Sequence, residues 1–168
     1  MPVRPFLSYP DKRLRTPAEP VGKITEEHHA IWQDMIDTME AMSVLAPGVG
    51  LAAPQIGVML RLAVVDASTT RGQAIRMADP ELVSASEELN THPEGSPNLP
   101  HVRAKITRPA RVVVAFTDHL GMRVRQEFVD LWATSVQHQI DHLNGKMHID
   151  HLSRVKREML VKKSKRGG

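Results

Sequence analysis

Between residues 25 and 42 the apolar positions recur every three or four residues, which is the spacing of one face of an α-helix. Thr25 is a suitable cap for the start of this helix, and Pro47 and Gly48 predict its end. A stripe of this kind predicts core packing. Its members are Ile31, Trp32, Met35, Ile36, Met39 and Met42.

Two segments rich in β-branched residues, 60 to 67 and 111 to 118, predict strands. The second is followed by Gly121 and then by residues 122 to 129, which predicts a hairpin with Gly121 at a turn position of positive φ. Pro109 suits the entrance of the strand that follows it.

A second helical period runs from residue 128 to residue 143 and stops at Asn144 and Gly145. The order of helix, strands, hairpin and helix indicates an α+β fold and not alternating βαβ units. Two further segments, 47 to 58 and 92 to 100, are rich in Gly and Pro and are predicted as loops. The positions on the second helical period are Phe128, Leu131, Trp132, Ser135, Val136, Gln139, Ile140 and Leu143.

The composition is that of one globular domain. Of the 168 residues, 41% are hydrophobic and 24% are charged, and no apolar run approaches the length of a membrane span. The first residues lack the apolar core of a signal peptide, so we expect a cytoplasmic protein with no membrane partner. Because the chain has no Cys, disulfides, thiolate nucleophiles and Cys-ligated metals are excluded.

The net charge of +3 is concentrated at the C-terminal end. Residues 154 to 168 carry seven Lys or Arg against one Glu, so we predict a single domain over residues 1 to 153 and a basic tail after it. Such a tail is more often a solvated, frayed end than a binding element. The alternative is an anchor for a polyanion such as RNA. The aromatic content of 4% argues against single-strand stacking, and no specific DNA binding is expected.

Within the second helix, His138 and His142 lie four residues apart, so both imidazoles fall on one helical face. Zinc hydrolases use this spacing to hold a metal, and the residue after the first His is usually a Glu that acts as a general base. Here that residue is Gln139. Because the chain has nine His, one such pair is a weak signal by itself, and a surface or capped pair is the simpler interpretation.

Three ordered motifs make the chain resemble the peptide deformylases, which remove the N-formyl group from nascent bacterial and organellar polypeptides. The motifs of that family are roughly G-(apolar)-G-L-A-A-x-Q, E-G-C-L-S and Q-H-E-x-D-H. This chain has GVGLAAPQ at 48 to 55, EGSPN at 94 to 98 and QHQIDH at 137 to 142. With its flanking segments the resemblance covers about residues 3 to 160. It implies the deformylase fold, in which antiparallel sheets surround a central helix that carries the two His.

The resemblance also implies a divalent metal, Fe²⁺ in cells and Zn²⁺ or Ni²⁺ in vitro, that is held by two His and one Cys. The matching ligand positions in this chain are His138, His142 and Ser96. The matching catalytic positions are Gln139 for the general base, Gln55 for the side chain that receives the oxyanion, and Pro97 for the backbone N–H that does the same. From composition alone, Gln55 is equally well a structural amide that ties its loop down.

The remaining matches concern the substrate and the support of the site. Asp141 and Arg108 match residues that orient neighbouring side chains, and Arg108 is expected to do so through an ion pair with Glu94. Arg103 is expected near the peptide. The positions that match the substrate cleft are Val49, Gly50, Leu51, Glu94, Gly95, Leu99, Arg103, Leu131 and Ser135.

Three positions depart from the family at the chemistry itself. Ser96 replaces the Cys ligand, and a neutral hydroxyl is a poor ligand for a divalent metal. Gln139 replaces the Glu base, and an amide does not accept a proton from water at neutral pH. Pro97 replaces a Leu whose N–H faces the oxyanion, and proline has no N–H. We therefore expect a degenerate deformylase that keeps the fold and the peptide cleft, has absent or very weak activity, and holds no metal or an adventitious one.

Two other hypotheses stay open. One is an active metal-dependent amide hydrolase in which another ligand, such as His92 or His101, replaces the Cys. The other is a protein that binds the ribosome or RNA through its basic tail, since bacterial deformylases dock on the ribosome through a C-terminal helix. His148 and His151, like His92 and His101, are expected at the surface. The expected partners are the N-terminal peptides of nascent chains and the ribosome.

Overall fold

The computed structural model describes residues 3–42 and 48–167, and the elements named here lie within those ranges. The α-helices are α1 (Glu26–Glu40), α2 (Asp130–Leu143) and α3 (Arg154–Gly167). Short 3-10 turns lie at Lys12–Arg15, Ala53–Ile56 and His148–His151. The strands are β1 (Gly50–Ala52), β2 (Leu62–Val65), β3 (Ile75–Ala85), β4 (Leu89–Ser96), β5 (Leu99–Pro109), β6 (Arg111–Thr117) and β7 (Arg123–Val129).

The strands form two antiparallel sheets. One has five strands in the order β1-β2-β3-β6-β7, and the other is a two-stranded ribbon of β4 and β5. β3 belongs to both halves of the larger sheet, because its first part pairs with β2 and its second part pairs with β6 after a register shift that follows Ala78. This combination of helices with antiparallel sheets confirms the predicted α+β class.

Helix α1 packs its predicted apolar stripe into a core with β1 and β2. Trp32, Met35 and Met39 are fully buried there, and the Trp32 indole N–H donates to the Met77 backbone oxygen over 3.1 Å. The helix starts after Thr25, which confirms the predicted start, and the Thr25 backbone N–H donates to His28 Nδ1. The predicted stop at Pro47 lies outside the described residues.

Helix α2 packs across the larger sheet and contacts β1 and β2 at one end of it and β7 at the other. Ala133 and Val136 pack with Phe128 and the apolar residues of β6, so this face of the helix is fixed by the larger sheet. The helix ends at Leu143, followed by Asn144 as its cap and by Gly145 at φ 76°. Both predicted ends of the helix are therefore close to those observed.

Both predicted loops contain regular structure instead. Residues 50 to 56 form β1 and a 3-10 turn, because the small side chains let β1 pair with β2 as an edge strand. Residues 92 to 100 form the end of β4, a tight turn and the start of β5. The Pro and Gly of this segment are tolerated because the ribbon has only two strands, so each strand leaves one edge unpaired.

The basic end is a helix and not a frayed tail. Leu160 and Val161 of α3 pack against the core cluster that contains Leu99 and Val102, and the Ser164 hydroxyl donates to the Pro100 backbone oxygen. This packing holds α3 against β5. Across the described residues, no helix has the length and apolar character needed to cross a membrane.

Two glycines with positive φ give a test of the close packing at the end of α2. A Cβ on Gly145 would lie 2.7 Å from the Arg15 backbone oxygen, whereas a Cβ on Gly121 would meet no atom within 4 Å. We expect Gly121→Ala to cost about 1 to 2 kcal/mol, the strain of a left-handed residue with a side chain. Gly145→Ala should cost a further 1 to 3 kcal/mol or so from overpacking. Urea unfolding of both variants measures the difference, and equal losses would contradict the close approach.

Candidate functional site

A cleft of about 450 Å³ opens where β1, the turn of the ribbon and α2 meet. Twelve of the positions predicted for the site line it. They are Val49, Gly50, Gln55, Glu94, Gly95, Ser96, Pro97, Arg103, Leu131, Ser135, His138 and Gln139. The structure therefore brings together three segments that are far apart in the chain.

Four lining residues were not predicted from the sequence, namely Met42, Gly48, Pro93 and Thr134. Thr134 lies one helical turn before His138, so the helical period that placed the histidines also points to it. Met42 was predicted in the core and lies instead beyond the end of α1, at the rim of the cleft.

Two residues predicted for the cleft do not line it. Leu51 is fully buried in the core beside α1, because alternate side chains of β1 point to opposite faces. Leu99 packs with Leu14 and Met147 in the core beneath the ribbon. Both residues support the cleft from behind.

Glycine at position 50 lets β1 approach α2 closely. A Cβ there would lie 2.5 Å from Ser135 Oγ and 2.6 Å from Gln139 Nε2. The Ser135 hydroxyl donates to the Val49 backbone oxygen over 2.7 Å and so ties the start of β1 to the helix. The wall of the cleft is thus fixed by a hydrogen bond from the Ser135 side chain to the backbone just before β1 and by the absence of a side chain at position 50.

The two histidines of α2 face each other; His138 lines the cleft, whereas His142 is buried and does not line it. Their Nε2 atoms are 3.1 Å apart, and His138 Nδ1 lies 2.8 Å from Glu94 Oε1. A carboxylate only accepts hydrogen bonds, so the His138 proton lies on Nδ1 and a neutral ring offers only a lone pair at Nε2. The four-residue spacing places both rings on one face of the helix, and the hydrogen bond to Glu94 fixes the orientation of the His138 ring.

Glu94 is the centre of a buried charge network. The Arg108 guanidinium donates to both Glu94 oxygens over 2.7 and 2.9 Å and to Asp141 Oδ2 over 2.9 Å, which confirms the predicted ion pair. Asp141 Oδ2 in turn lies 2.8 Å from Nε2 of His151. The network runs from the buried imidazole of His138 to the surface.

Burial by itself would raise the pKa of Glu94, but the hydrogen bonds from His138 and Arg108 lower it from 4.5 to about 2. A carboxyl group whose pKa is lower in the folded state stabilises the fold at pH values above its unfolded pKa. The contribution of Glu94 is therefore complete above about pH 4.5 and is lost as the pH falls toward 2.

His148 is completely buried, so the prediction that it lies at the surface is wrong. Its ring stacks on that of His138 with the centroids 5.6 Å apart. Burial, followed by the nearby charge of His138, lowers the pKa of His148 to about 4. The same two causes hold the pKa of His142 well below 6.5. Both rings are therefore neutral at physiological pH.

The other histidines do not reach the cleft lining. His92 lies on β4 opposite Ile106, and His101 lies exposed on β5 at φ 70°. The His151 side chain is 41% exposed, as predicted. The ribbon thus supplies no replacement ligand from His92 or His101.

At the turn of the ribbon, Ser96 and Gln55 share hydrogen bonds with Asn98. Asn98 Oδ1 lies 2.8 Å from Gln55 Nε2 and 3.0 Å from Ser96 Oγ. Sequence reasoning missed Asn98, although it occupies the place of the Ser in the E-G-C-L-S motif. Gln139 lies nearby, and its Oε1 is buried with no hydrogen-bond partner among the described residues.

The residues present fit a divalent metal only in part. Two nitrogen ligands about 2.0 to 2.1 Å from a tetrahedral metal lie roughly 3.3 Å apart, which is close to the Nε2 separation of the histidine pair. A carboxylate on the other ring nitrogen, as for His138, is usual for metal-binding histidines. The third position offers the neutral hydroxyl of Ser96. Within residues 3–42 and 48–167, no three His, Cys, Asp or Glu side chains are placed to hold a metal ion. The donor set does not match a centre of two His and one Cys.

Comparison with known proteins gives one family throughout. The family model described as polypeptide deformylase matches residues 3–158. The chain is 43% identical over 168 residues to a peptide deformylase of Methylocella silvestris, covering 97% of this chain and 84% of that protein. It is 42% identical over 165 residues to one of Afipia carboxidovorans, covering 97% and 94%.

Solved structures give the same result. The crystal structure of a peptide deformylase from Legionella pneumophila superposes with a TM-score of 0.91 at 37% identity, covering 99% of this chain and 95% of the other. A peptide deformylase from Ehrlichia chaffeensis in complex with actinonin has the same TM-score at 31% identity and covers 99% and 98%.

The buried ion pair can be tested against an exposed one. Arg108→Met should cost about 3 to 5 kcal/mol in the free energy of unfolding, because it leaves the buried Glu94 carboxylate uncompensated. Arg111→Met removes an exposed pair with Glu88 and should cost less than about 1 kcal/mol. Urea unfolding at neutral pH measures both. Similar losses in the two variants would show that the network of Glu94 does not support the fold.

Proposed function

Because this chain belongs to the polypeptide deformylase family, we propose that its cleft receives the N-terminal end of a peptide, while hydrolysis of N-formyl groups by the family's mechanism is absent or very weak. The observation that carries the proposal is that Ser96, Pro97 and Gln139 meet in one cleft. These are the three positions at which the sequence departs from the family's chemical groups.

Each departure removes a different contribution. A general base is worth about 10² to 10⁴ in rate, and one oxyanion donor is worth about 10² to 10³. The Gln139 amide does not act as a general base, and Pro97 has no N–H to donate. Such factors need not multiply, because groups of one catalytic site are not additive. The loss of the Cys ligand weakens the metal site on which both of the other groups depend.

Contacts of Ser135 and Arg103 shape the cleft independently of these three groups, and Gly50 leaves room for the Gln139 side chain. The Ser135 hydroxyl holds β1 against α2, and Gly50 keeps the space between them free of a side chain. The Arg103 guanidinium donates to the Pro93 backbone oxygen and lines the entrance. These contacts support peptide binding without hydrolysis.

The first test is metal content and turnover of protein made without a His tag and offered Fe²⁺, Ni²⁺ or Zn²⁺. We expect less than stoichiometric metal and turnover of N-formyl-Met peptides that does not exceed the rate without protein. Stoichiometric metal together with measurable turnover would contradict the proposal and favour an active hydrolase with a substituted ligand set.

A companion variant restores the family's groups through Ser96→Cys, Pro97→Leu and Gln139→Glu together. Its turnover should exceed that of the unchanged chain by about 10² or more, the contribution of a general base or of one oxyanion donor. The matched control adds His138→Ala, which should abolish the gain because it removes one of the paired imidazoles. A gain that survives in the control would show that the new activity does not arise at this site.

We also propose that α3 binds a polyanionic surface, specifically the ribosome. Leu160 and Val161 pack on the ribbon side, whereas Val155, Met159 and six basic residues are exposed on the remaining surface. Arg154 pairs with Glu158 one turn later, so most of these charges have no acidic neighbour within the helix. The exposed basic residues are Arg154, Lys156, Lys162, Lys163, Lys165 and Arg166.

Charge neutralisation tests this proposal without removing the packing of α3. Replacing Lys162, Lys163, Lys165 and Arg166 by Gln should weaken binding to purified ribosomes at least about tenfold. The plot of log affinity against log salt has a negative slope, and the magnitude of that slope should fall by roughly 3. The matched control replaces four exposed basic residues elsewhere by Gln, namely Lys12, Lys23, Lys105 and Arg125. Equal effects of the two sets would indicate attraction by net charge and not by α3.

A further inference from the structure

We infer that Asn98 is a positioning residue, which holds the Gln55 side chain and the Ser96 hydroxyl in hydrogen bonds to its own side chain. As a consequence, position 96 suits a neutral donor and disfavours an anionic metal ligand. This role of Asn98 rests on the proposed function, because that proposal identifies the site. It adds a fourth position to the three departures described above.

The orientation of the Asn98 side chain is determined by two backbone carbonyls. Its Nδ2 donates to the Leu7 oxygen over 2.7 Å and to the Gln55 oxygen over 3.0 Å. A carbonyl oxygen only accepts, so the amide nitrogen must face this side. Asn98 Oδ1 therefore faces Gln55 Nε2 and Ser96 Oγ, and it can only accept hydrogen bonds from them.

The orientation of Gln55 follows from a third backbone group. Its Oε1 accepts from the Ala52 N–H over 2.9 Å, which turns Nε2 toward Asn98 Oδ1 at 2.8 Å. The second hydrogen of Nε2 points toward Ser96 Oγ, at a longer 3.5 Å. The amide that the family uses for the oxyanion is thus engaged with side chains of the ribbon turn.

Ser96 must then donate its hydroxyl proton to Asn98. The two oxygens are 3.0 Å apart, and Asn98 Oδ1 has no hydrogen to give. The backbone N–H of Asn98 approaches the same hydroxyl at 3.3 Å as a weaker donor. A hydroxyl satisfies this arrangement, whereas a thiolate would place a negative charge beside a carbonyl oxygen.

Burial strengthens this preference. Gln55, Ser96 and Asn98 are each more than nine-tenths buried, so water does not screen the contact between position 96 and Asn98 Oδ1. In such surroundings an unfavourable electrostatic contact costs more than it would in water. Replacing Asn98 by a residue with a hydroxyl proton would supply a donor in its place.

The absence of Cys from the chain allows a direct measurement. Ser96→Cys introduces a single thiol, and its rate of alkylation by iodoacetamide at neutral pH reports its thiolate fraction. We expect the rate in S96C/N98S to be at least about tenfold higher than in S96C, equivalent to about 1.4 kcal/mol between thiol and thiolate. The matched control S96C/N90S changes Asn90, which lies on β4 six residues before position 96, and should react like S96C.

Cobalt binding provides a second readout of the same property. S96C/N98S should bind Co²⁺ at least about tenfold more tightly than S96C and show stronger thiolate-to-cobalt absorption. Alkylation in guanidinium should be equal for all variants, which excludes differences in the reagent. Equal folded-state rates and equal Co²⁺ affinities in S96C and S96C/N98S would overturn the inference.

Asn98→Ser also loses the bonds to Leu7 and Gln55, so folding is checked by circular dichroism. If that variant does not fold, S96C/N98D tests the effect of the group at position 98 in the opposite direction. A carboxylate beside position 96 should lower the thiolate fraction and slow alkylation relative to S96C. Faster alkylation in S96C/N98D would contradict the inference. None of these rates depends on turnover of N-formyl peptides, so activity in the unchanged chain would overturn the proposed function without altering this comparison.

Discussion

The ion pair between Arg108 and Glu94 joins two of the three parts of the protein that make the cleft, namely the ribbon and α2. Arg108 lies on β5, Glu94 lies on β4, and the same guanidinium reaches Asp141 on α2. Glu94 also accepts a hydrogen bond from His138 Nδ1, so the ribbon and the helix are connected by charge-assisted hydrogen bonds in the protein interior. Buried charges are costly unless each is paired, and here every charged oxygen of Glu94 has a partner.

This arrangement separates the support of the site from its chemistry. The groups that hold the cleft together are Arg108, Glu94, Asp141, Ser135 and Gly50. A second set consists of Ser96, Pro97, Asn98 and Gln139, which face the cleft or lie directly beneath it. The ion pairs and hydrogen bonds of Arg108, Glu94 and Asp141 involve no side chain of the second set, and the fold superposes on that of a peptide deformylase.

Part of this picture could be predicted from the sequence. The helical periods placed α1 and α2 within a few residues, because each helix buries one face and its polar positions reveal that face. The ribbon was missed, because the apolar side of a two-stranded sheet is small and its Pro and Gly imitate a loop. The basic end was predicted as frayed, because its composition hides the few apolar residues that hold α3 on the ribbon.

The sequence by itself determined the α+β class, the four-residue spacing of the histidines and the chemical types at positions 96, 97 and 139, since these depend on local periodicity and residue identity. Tertiary structure decided which of these residues meet. Only the packing of the ribbon against α2 placed Glu94 on His138 and buried His148, and only the backbone carbonyls of Leu7 and Gln55 set the orientation of Asn98. The physical reason is that a hydrogen bond between distant segments depends on where their backbones lie, which no local pattern records. Residues 136 to 145, VQHQIDHLNG, therefore specified a helix with two histidines on one face, and the fold specified what surrounds them.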